Sequence, residues 1–233
     1  MTNTPPTFAR KILNFNKNLH IDAHSLPAGI RAMNPFSDDV IQRITGEFYK
    51  KFYSDHEPRS LILGINPGRL GSGATGVAFT DTERLRDACG IDPRTVQTRE
   101  PSSTFIYKVI AAMGGPQQFY SNFYISSVCP LGFVINSQNG NEINYNYYDN
   151  RDLQHAVTPF IIESIERQMN FGINTSHCFC MGKGKNFKFL NKLNKEHGWF
   201  DEIMPLNHPR FVVQYRSKQI QEYVQGYVNT LML

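Results

Sequence analysis

Four cysteines, a single tryptophan and no apolar run long enough to cross a bilayer describe what this 233-residue chain has little of. A membrane helix needs roughly 18 to 20 apolar residues in succession, so a transmembrane role is excluded. The cysteines stand at Cys89, Cys129, Cys178 and Cys180. Only the last two are close, as C-x-C inside an apolar run, whereas cluster and zinc ligands come in wider-looped spacings such as C-x2-C. Buried free thiols are therefore expected, with no metal and no cofactor. The stretch Met1 to Leu13 holds prolines and basic residues but no apolar secretory core, so a cytoplasmic location is expected. No G-x4-G-K-[ST] pattern is present, which argues against a phosphate-loop hydrolase. There is also no internal repeat or linker-like segment, so residues 1–233 read as one domain, with 1–59 forming helices packed upon it.

Net charge is only +4, but it is unevenly spread. Residues 181–220 carry eight Lys or Arg against three acids, leaving the remainder of the chain at −1. Such concentration suits a polyanionic partner. For Lys188, Lys192 and Lys195 a solvated helix face is the preferred reading. Lys183 and Lys185, in Gly182-Lys183-Gly184-Lys185, lie where a strand turns into a helix and are candidates to hold a DNA phosphate.

The most informative segment is Leu61 to Thr80, L-I-L-G-I-N-P-G-R-L-G-S-G-A-T-G-V-A-F-T. Its apolar opening reads as a strand buried on both faces. The glycines that follow allow sharp bends and a close approach to a ligand. Asn66 and Phe79 thus stand on two arms of one folded loop, a polar amide and a ring suited to a flat, polar-edged molecule such as a nucleobase.

Elsewhere, periodicity predicts an early helix through Phe8, Ile12, Leu13 and Phe15, and another capped by Ser37 with Ile41, Ile44, Phe48 and Phe52 inward. Strands are predicted at Ser60–Ile65, Phe123–Val128, His177–Met181 and Glu202–Leu206. Thr80-Asp81-Thr82-Glu83 reads as a capping box for a helix stopped by Gly90. Further helices are expected over Ser103–Met113, from Thr158-Pro159 onward, over Lys185–His197, and from Ser217 to the end. The polar stretch from Asn136 to Asn150 is predicted as a long loop. Its Tyr145, Tyr147 and Tyr148 suit either base stacking or a plain surface. Strand and helix alternate four times, giving an α/β three-layer fold with a central four-stranded parallel sheet flanked by helices. Ligands bind such sheets beyond the carboxyl ends of the strands. Asn66, Ser127, the Gly182–Lys185 loop and Asn207-His208-Pro209 all follow strands and converge on that edge.

Gly64-Ile65-Asn66-Pro67-Gly68 and Thr75-Gly76-Val77-Ala78-Phe79 resemble motif 1 of the uracil-DNA glycosylase superfamily, most closely its single-strand-selective monofunctional branch. In that branch the pattern runs G-M-N-P-G, then a glycine-rich stretch, then T-G-V-P-F. The resemblance extends from about Leu61 to Arg216. It implies a uracil-DNA glycosylase-like fold and a monomeric base-excision-repair enzyme, bacterial and nucleoid-associated. That enzyme would hydrolyse the N-glycosidic bond of uracil, and of related damaged bases, in single- or double-stranded DNA. It further implies that Asn66 positions the water, that Phe79 stacks on the flipped base, and that Ile65 and Gly68 border the substrate. His208 matches the motif 2 histidine, which hydrogen-bonds the developing base anion.

Two departures stand out. Tyr124-Ile125-Ser126-Ser127-Val128-Cys129-Pro130-Leu131 resembles F-V-H-N-x-C-P-L, with Ser127 in place of the asparagine that reads uracil, as in a bacterial second subgroup of the branch. A hydroxyl both donates and accepts, so base reading should be looser. Motif 2, H-P-S-P-R in the branch, appears as His208-Pro209-Arg210-Phe211, as though two residues were missing. Arg210 or Phe211 could fill the hole left by the flipped nucleotide, or instead contact a phosphate and pack in the core, respectively. Two rival readings are a non-catalytic nucleic-acid-binding module of the same fold and an enzyme acting on free nucleosides.

Overall fold

The computed structural model describes residues 5–94 and 97–233; the first four residues of the Met1–Leu13 stretch and residues 95–96 lie outside that description. In chain order the elements are α1 (Phe8–Lys17), β1 (Ile30–Met33), α2 (Asp39–Phe52), β2 (Arg59–Gly64), α3 (Ser72–Thr75), α4 (Thr82–Asp87), α5 (Pro101–Ala112) and α6 (Pro116–Asn122). They continue with β3 (Phe123–Ser127), β4 (Gly132–Asn136), β5 (Glu142–Tyr145), α7 (Arg151–Met169), β6 (Ile173–Met181), α8 (Lys185–His197), β7 (Glu202–Leu206), α9 (Pro209–Tyr215) and α10 (Ile220–Leu231).

Four strands form one parallel sheet in the order β3-β2-β6-β7. Leu61, Ile62 and Leu63 of β2 are wholly buried, as a strand covered by helices on both faces requires. From β2 the chain crosses to β3 on one side and later returns to β6 on the other. The connections therefore diverge at β2, and a crevice opens beyond its carboxyl end. Helices flank the sheet in two groups: α1 packs on α2 and α7, while α5 packs on α9 and α10. At the sheet's amino end, Arg59 is buried, pairs with Asp55 and lies over the rings of Phe8 and Tyr53. That pairing compensates a charge otherwise costly to bury.

A second sheet, antiparallel and ordered β1-β4-β5, was not foreseen. It replaces part of the long loop expected over 136–150, because β4 and β5 pair Phe133 with Tyr145 and Asn136 with Glu142 around a short turn. Within the former cluster of surface tyrosines, Tyr147 is fully buried and gives its hydroxyl proton to Asn186 at 2.8 Å.

Helix starts also differ from expectation. Asp38, not Ser37, caps α2, accepting the N–H groups of Val40 and Ile41. Asp81 alone caps α4, through the N–H of Arg84. α7 begins at Arg151 under an Asn150 cap, so Pro159 lies inside the helix instead of opening it. β6 reaches back to Ile173 through an irregularity: Ser60 pairs with Asn174 but Leu61 with Cys178, and the intervening Thr175 and Ser176 face solvent. α8 and β7 fall where the pattern placed them.

Candidate active site

At the carboxyl edge of the parallel sheet lies a cleft of about 560 Å³. The loop after β2 supplies Ile65, Asn66 and Gly68 to its wall, and the end of β3 supplies Ser127. Lys183 and Lys185 enter from the β6–α8 loop, and His208, Arg210 and Phe211 from the junction of β7 with α9. Phe79 completes the ring of residues. Every site position expected from the sequence is thus brought into one cavity.

Asn66 is held at both ends of its amide. Its Oδ1 accepts the backbone N–H of Tyr147 at 3.1 Å, and its Nδ2 donates to the carbonyl of Tyr145 at 3.2 Å. These partners fix which end is oxygen and which is nitrogen. One Oδ1 lone pair remains for a ligand, and the second N–H makes only a long contact of 3.5 Å to the Pro67 carbonyl. Behind Tyr147, Asn186 is almost wholly buried and ties the tyrosine hydroxyl to the carbonyl of Met181 and the thiol of Cys180.

Phe79 has φ of 50°, in the left-handed region that non-glycine residues seldom occupy. Such a conformation costs on the order of 1–3 kcal/mol and persists only where the surroundings enforce it. Here its ring lies against the end of β2: a Cβ on Gly64 would come within 2.9 Å of Phe79 Cε2. Across the cleft the ring of His208 is 6.1 Å away, tilted by 58°. An aromatic plate and an imidazole edge therefore border the same space.

His208 is also the N-cap of α9. Its Nδ1 accepts the N–H of Arg210 at 3.2 Å, so the neutral ring carries its proton on Nε2. Burial, reinforced by the charge of Arg210, pushes its pKa down to about 4. The ring is consequently neutral near pH 7 and acts as a donor through Nε2. Ser127 is buried at 8% exposure and lines the cleft, where its hydroxyl can both donate and accept.

Phe211 is not a core ring. It is 38% exposed, pairs with the more exposed Tyr215 at 5.7 Å and carries the Arg216 guanidinium over its face. Lys183, Lys185 and Arg210 are exposed around the same mouth.

Several lining residues escaped sequence reasoning. Glu100, at the start of α5, turns its carboxylate toward the glycine-rich loop, where a Cβ on Gly71 would collide with Oε2. Ser103 Oγ donates to that carboxylate at 3.1 Å. Burial raises Glu100 to about 7, with the nearby Asp81 charge adding to the rise. Asn144 braces the other flank by accepting the N–H of Arg69 at 3.1 Å. A signal for Glu100 existed in the E-P-S-S start of α5, but nothing local tied it to a loop some thirty residues earlier.

Comparison with known proteins gives the family and the fold. Residues 50–232 match the family model of the uracil DNA glycosylase superfamily. The crystal structure of wild-type SMUG2 from Pedobacter heparinus superposes with a TM-score of 0.95 at 49% identity, covering 97% of each chain. No curated protein sequence matches the chain significantly.

Proposed function

From the premise that the chain belongs to the uracil DNA glycosylase superfamily and is a monofunctional DNA glycosylase acting on uracil in base excision repair, we propose a division of roles within its cleft. The base, turned out of its strand, stacks on Phe79 and is bordered by Ile65 and Gly68. As the glycosidic bond breaks, its electron pair moves onto the base and the sugar acquires oxocarbenium character. His208 donates from Nε2 to the oxygen where that negative charge gathers. A preorganised neutral donor stabilises the transition state more than the ground state. Asn66, its amide oriented by Tyr145 and Tyr147, holds the water that bonds to C1′. An amide is too weak a base to deprotonate that water, so its proton passes to the departing base anion or to bulk water only as the sugar cation is captured.

Ser127 reads the edge of the base. Because its hydroxyl can reverse its role, the site takes uracil together with deaminated purines such as hypoxanthine and xanthine. Lys183, Lys185 and Arg210 hold phosphates at the mouth, and Phe211 fills the space left in the strand. The chain acts as a monomer on single-stranded and double-stranded DNA.

The observation that carries this reading is His208: a half-buried ring whose cap contact leaves its only N–H directed away from Arg210, in the same cleft as Asn66 and Phe79. Its test is single-turnover release of base from oligonucleotides bearing uracil, hydroxymethyluracil, hypoxanthine or xanthine, read as alkali-dependent strand cleavage. Release of uracil and at least one deaminated purine is expected. Binding without release would favour a non-catalytic module, and equal efficiency on free deoxyuridine would favour a nucleoside hydrolase.

A further inference from the structure

A second cavity adjoins the cleft. It is a groove of about 1140 Å³ between the first half of α7 and α8. Lys185, Lys188 and Lys192 stand at i, i+3 and i+7 on α8, a spacing that places them along one face of a helix. All three line the groove, and Arg151 and His155 meet them from α7. The acids there are Asp152 and Glu196, and Glu196 is already engaged with Lys192 at 3.8 Å. Lys195, on the same helix, falls outside the groove. The basic residues are thus sorted to one side of α8, unlike the uniform solvated face that the sequence alone suggests.

Groove and cleft share two residues, Tyr148 and Lys185. The Lys185 ammonium lies 5.7 Å from the centre of the Tyr148 ring, so the boundary is a cation set on an aromatic face. Beyond it, the half-buried Phe189 forms part of the floor. Cations interleaved with rings are what a flexible nucleic-acid strand requires, since phosphates pair with the former and bases stack on the latter. From Lys185 to Lys192 the helix rises about 10 Å, the axial span of roughly three phosphates of one strand.

We propose that the α7–α8 groove carries the DNA strand onward from the cleft, its phosphates running along Lys188, Lys192 and Arg151. The inference rests on the chain acting on DNA, and it adds a binding track outside the base pocket. An acidic protein segment would suit the same cations, but the groove's continuity with the cleft through Tyr148 and Lys185 favours the strand already bound there.

The test compares parent and the triple variant Arg151→Ala/Lys188→Ala/Lys192→Ala on two oligonucleotides. Each carries a non-hydrolysable 2′-fluoro-deoxyuridine, and they are about six and about 20 nucleotides long, below and above the reach of the cleft alone. Affinity is read by fluorescence anisotropy over a salt series. For the long strand, the variant should bind at least about tenfold more weakly, and the slope of log K against log salt should be shallower by about 2. Affinity for the short strand, and single-turnover uracil release from a strand of the same length and sequence carrying ordinary deoxyuridine, should match the parent. The charge-keeping variant Lys188→Arg/Lys192→Arg should retain the steep slope. Equal losses on both lengths, or an unmoved slope on the long strand, would overturn the proposal. Failure of the parent to release uracil from the short deoxyuridine strand would instead overturn the catalytic reading, and the binding comparison on the non-hydrolysable strands would still decide the groove.

Discussion

The imidazole Nδ1 of His208 accepts the N–H of Arg210 at 3.2 Å, so one ring both caps α9 and presents its remaining proton to the cleft. Rotation of the ring would sacrifice the cap, and helix caps are typically worth about 1 kcal/mol. The local sequence thus fixes tautomer and direction together.

Replacing His208 with Ala should lower the single-turnover rate on the order of 10²–10³-fold, the usual loss on removing one preorganised donor to a developing anion. DNA affinity should change little. Asn66→Ala should do comparable damage through the mislaid water. Rates within a few-fold of the parent for both variants would contradict the assigned roles.

His208 also sets a pH expectation. Its folded pKa is depressed to about 4 from the ordinary 6.5, so the unfolded chain takes up this proton first as pH falls. Its contribution to stability is therefore present above pH 6.5 and is lost as pH falls toward 4. The rate should show no inflection near pH 6.5 from this ring. An inflection there that persists in a Glu100→Gln background and vanishes with His208 would contradict a neutral donor.

Glu100 behaves in the opposite sense. Its folded pKa is raised from 4.5 to about 7, chiefly by burial. Stability from this group is full below about pH 4.5 and is lost as pH rises through about 7. Glu100→Gln keeps an acceptor for Ser103 and removes the buried charge. It should melt a few degrees higher than the parent at about pH 8 and nearly with it at about pH 5. A variant that melts lower at about pH 8 would mean that the ionised carboxylate is a required partner of the glycine-rich loop.

Ser127→Asn should narrow the range of bases toward uracil. A fixed amide matches uracil's N3–H and O4, and leaves buried groups unpaired against other bases at about 1–3 kcal/mol each. The ratio of uracil to xanthine excision should rise. If it does not, Ser127 does not read the base.

Phe211→Ala should weaken excision from duplex more than from single strands, because only the duplex closes over the vacated position. A difference of about tenfold, equivalent to ~1.4 kcal/mol of unstacking left uncompensated, is expected. Equal losses on both substrates would make Phe211 a simple contact.

Much of this site was legible because its residues follow strands whose apolar runs are unmistakable. Leu61–Leu63 and Phe179–Met181 are buried throughout, and the polar residues beyond them mark the sheet edge. The antiparallel sheet was illegible for the opposite reason. β1 and β5 are four residues each and partly exposed, so neither alternation nor a continuous run announces them. Pro159 misled because proline favours a helix's first turn, whereas Asn150 holds the true start eight residues earlier than Thr158. Glu100, Tyr147 and Asn186 were missed as site residues because each acts through partners remote in sequence. Such long-range contacts leave no periodicity.

Asn66 and its two anchors, Tyr145 and Tyr147, are 79 and 81 residues apart in the chain, and the anchors sit at and just past the end of the other sheet. Local folding cannot orient the amide, since loop closure over such a separation must come first. During refolding, secondary structure and burial of the parallel sheet can be complete while the enzyme is still inert. If Asn66 places the water as proposed, activity should return during refolding only once the β1-β4-β5 sheet has docked beside the loop after β2, and recovered activity becomes a clock for that joining.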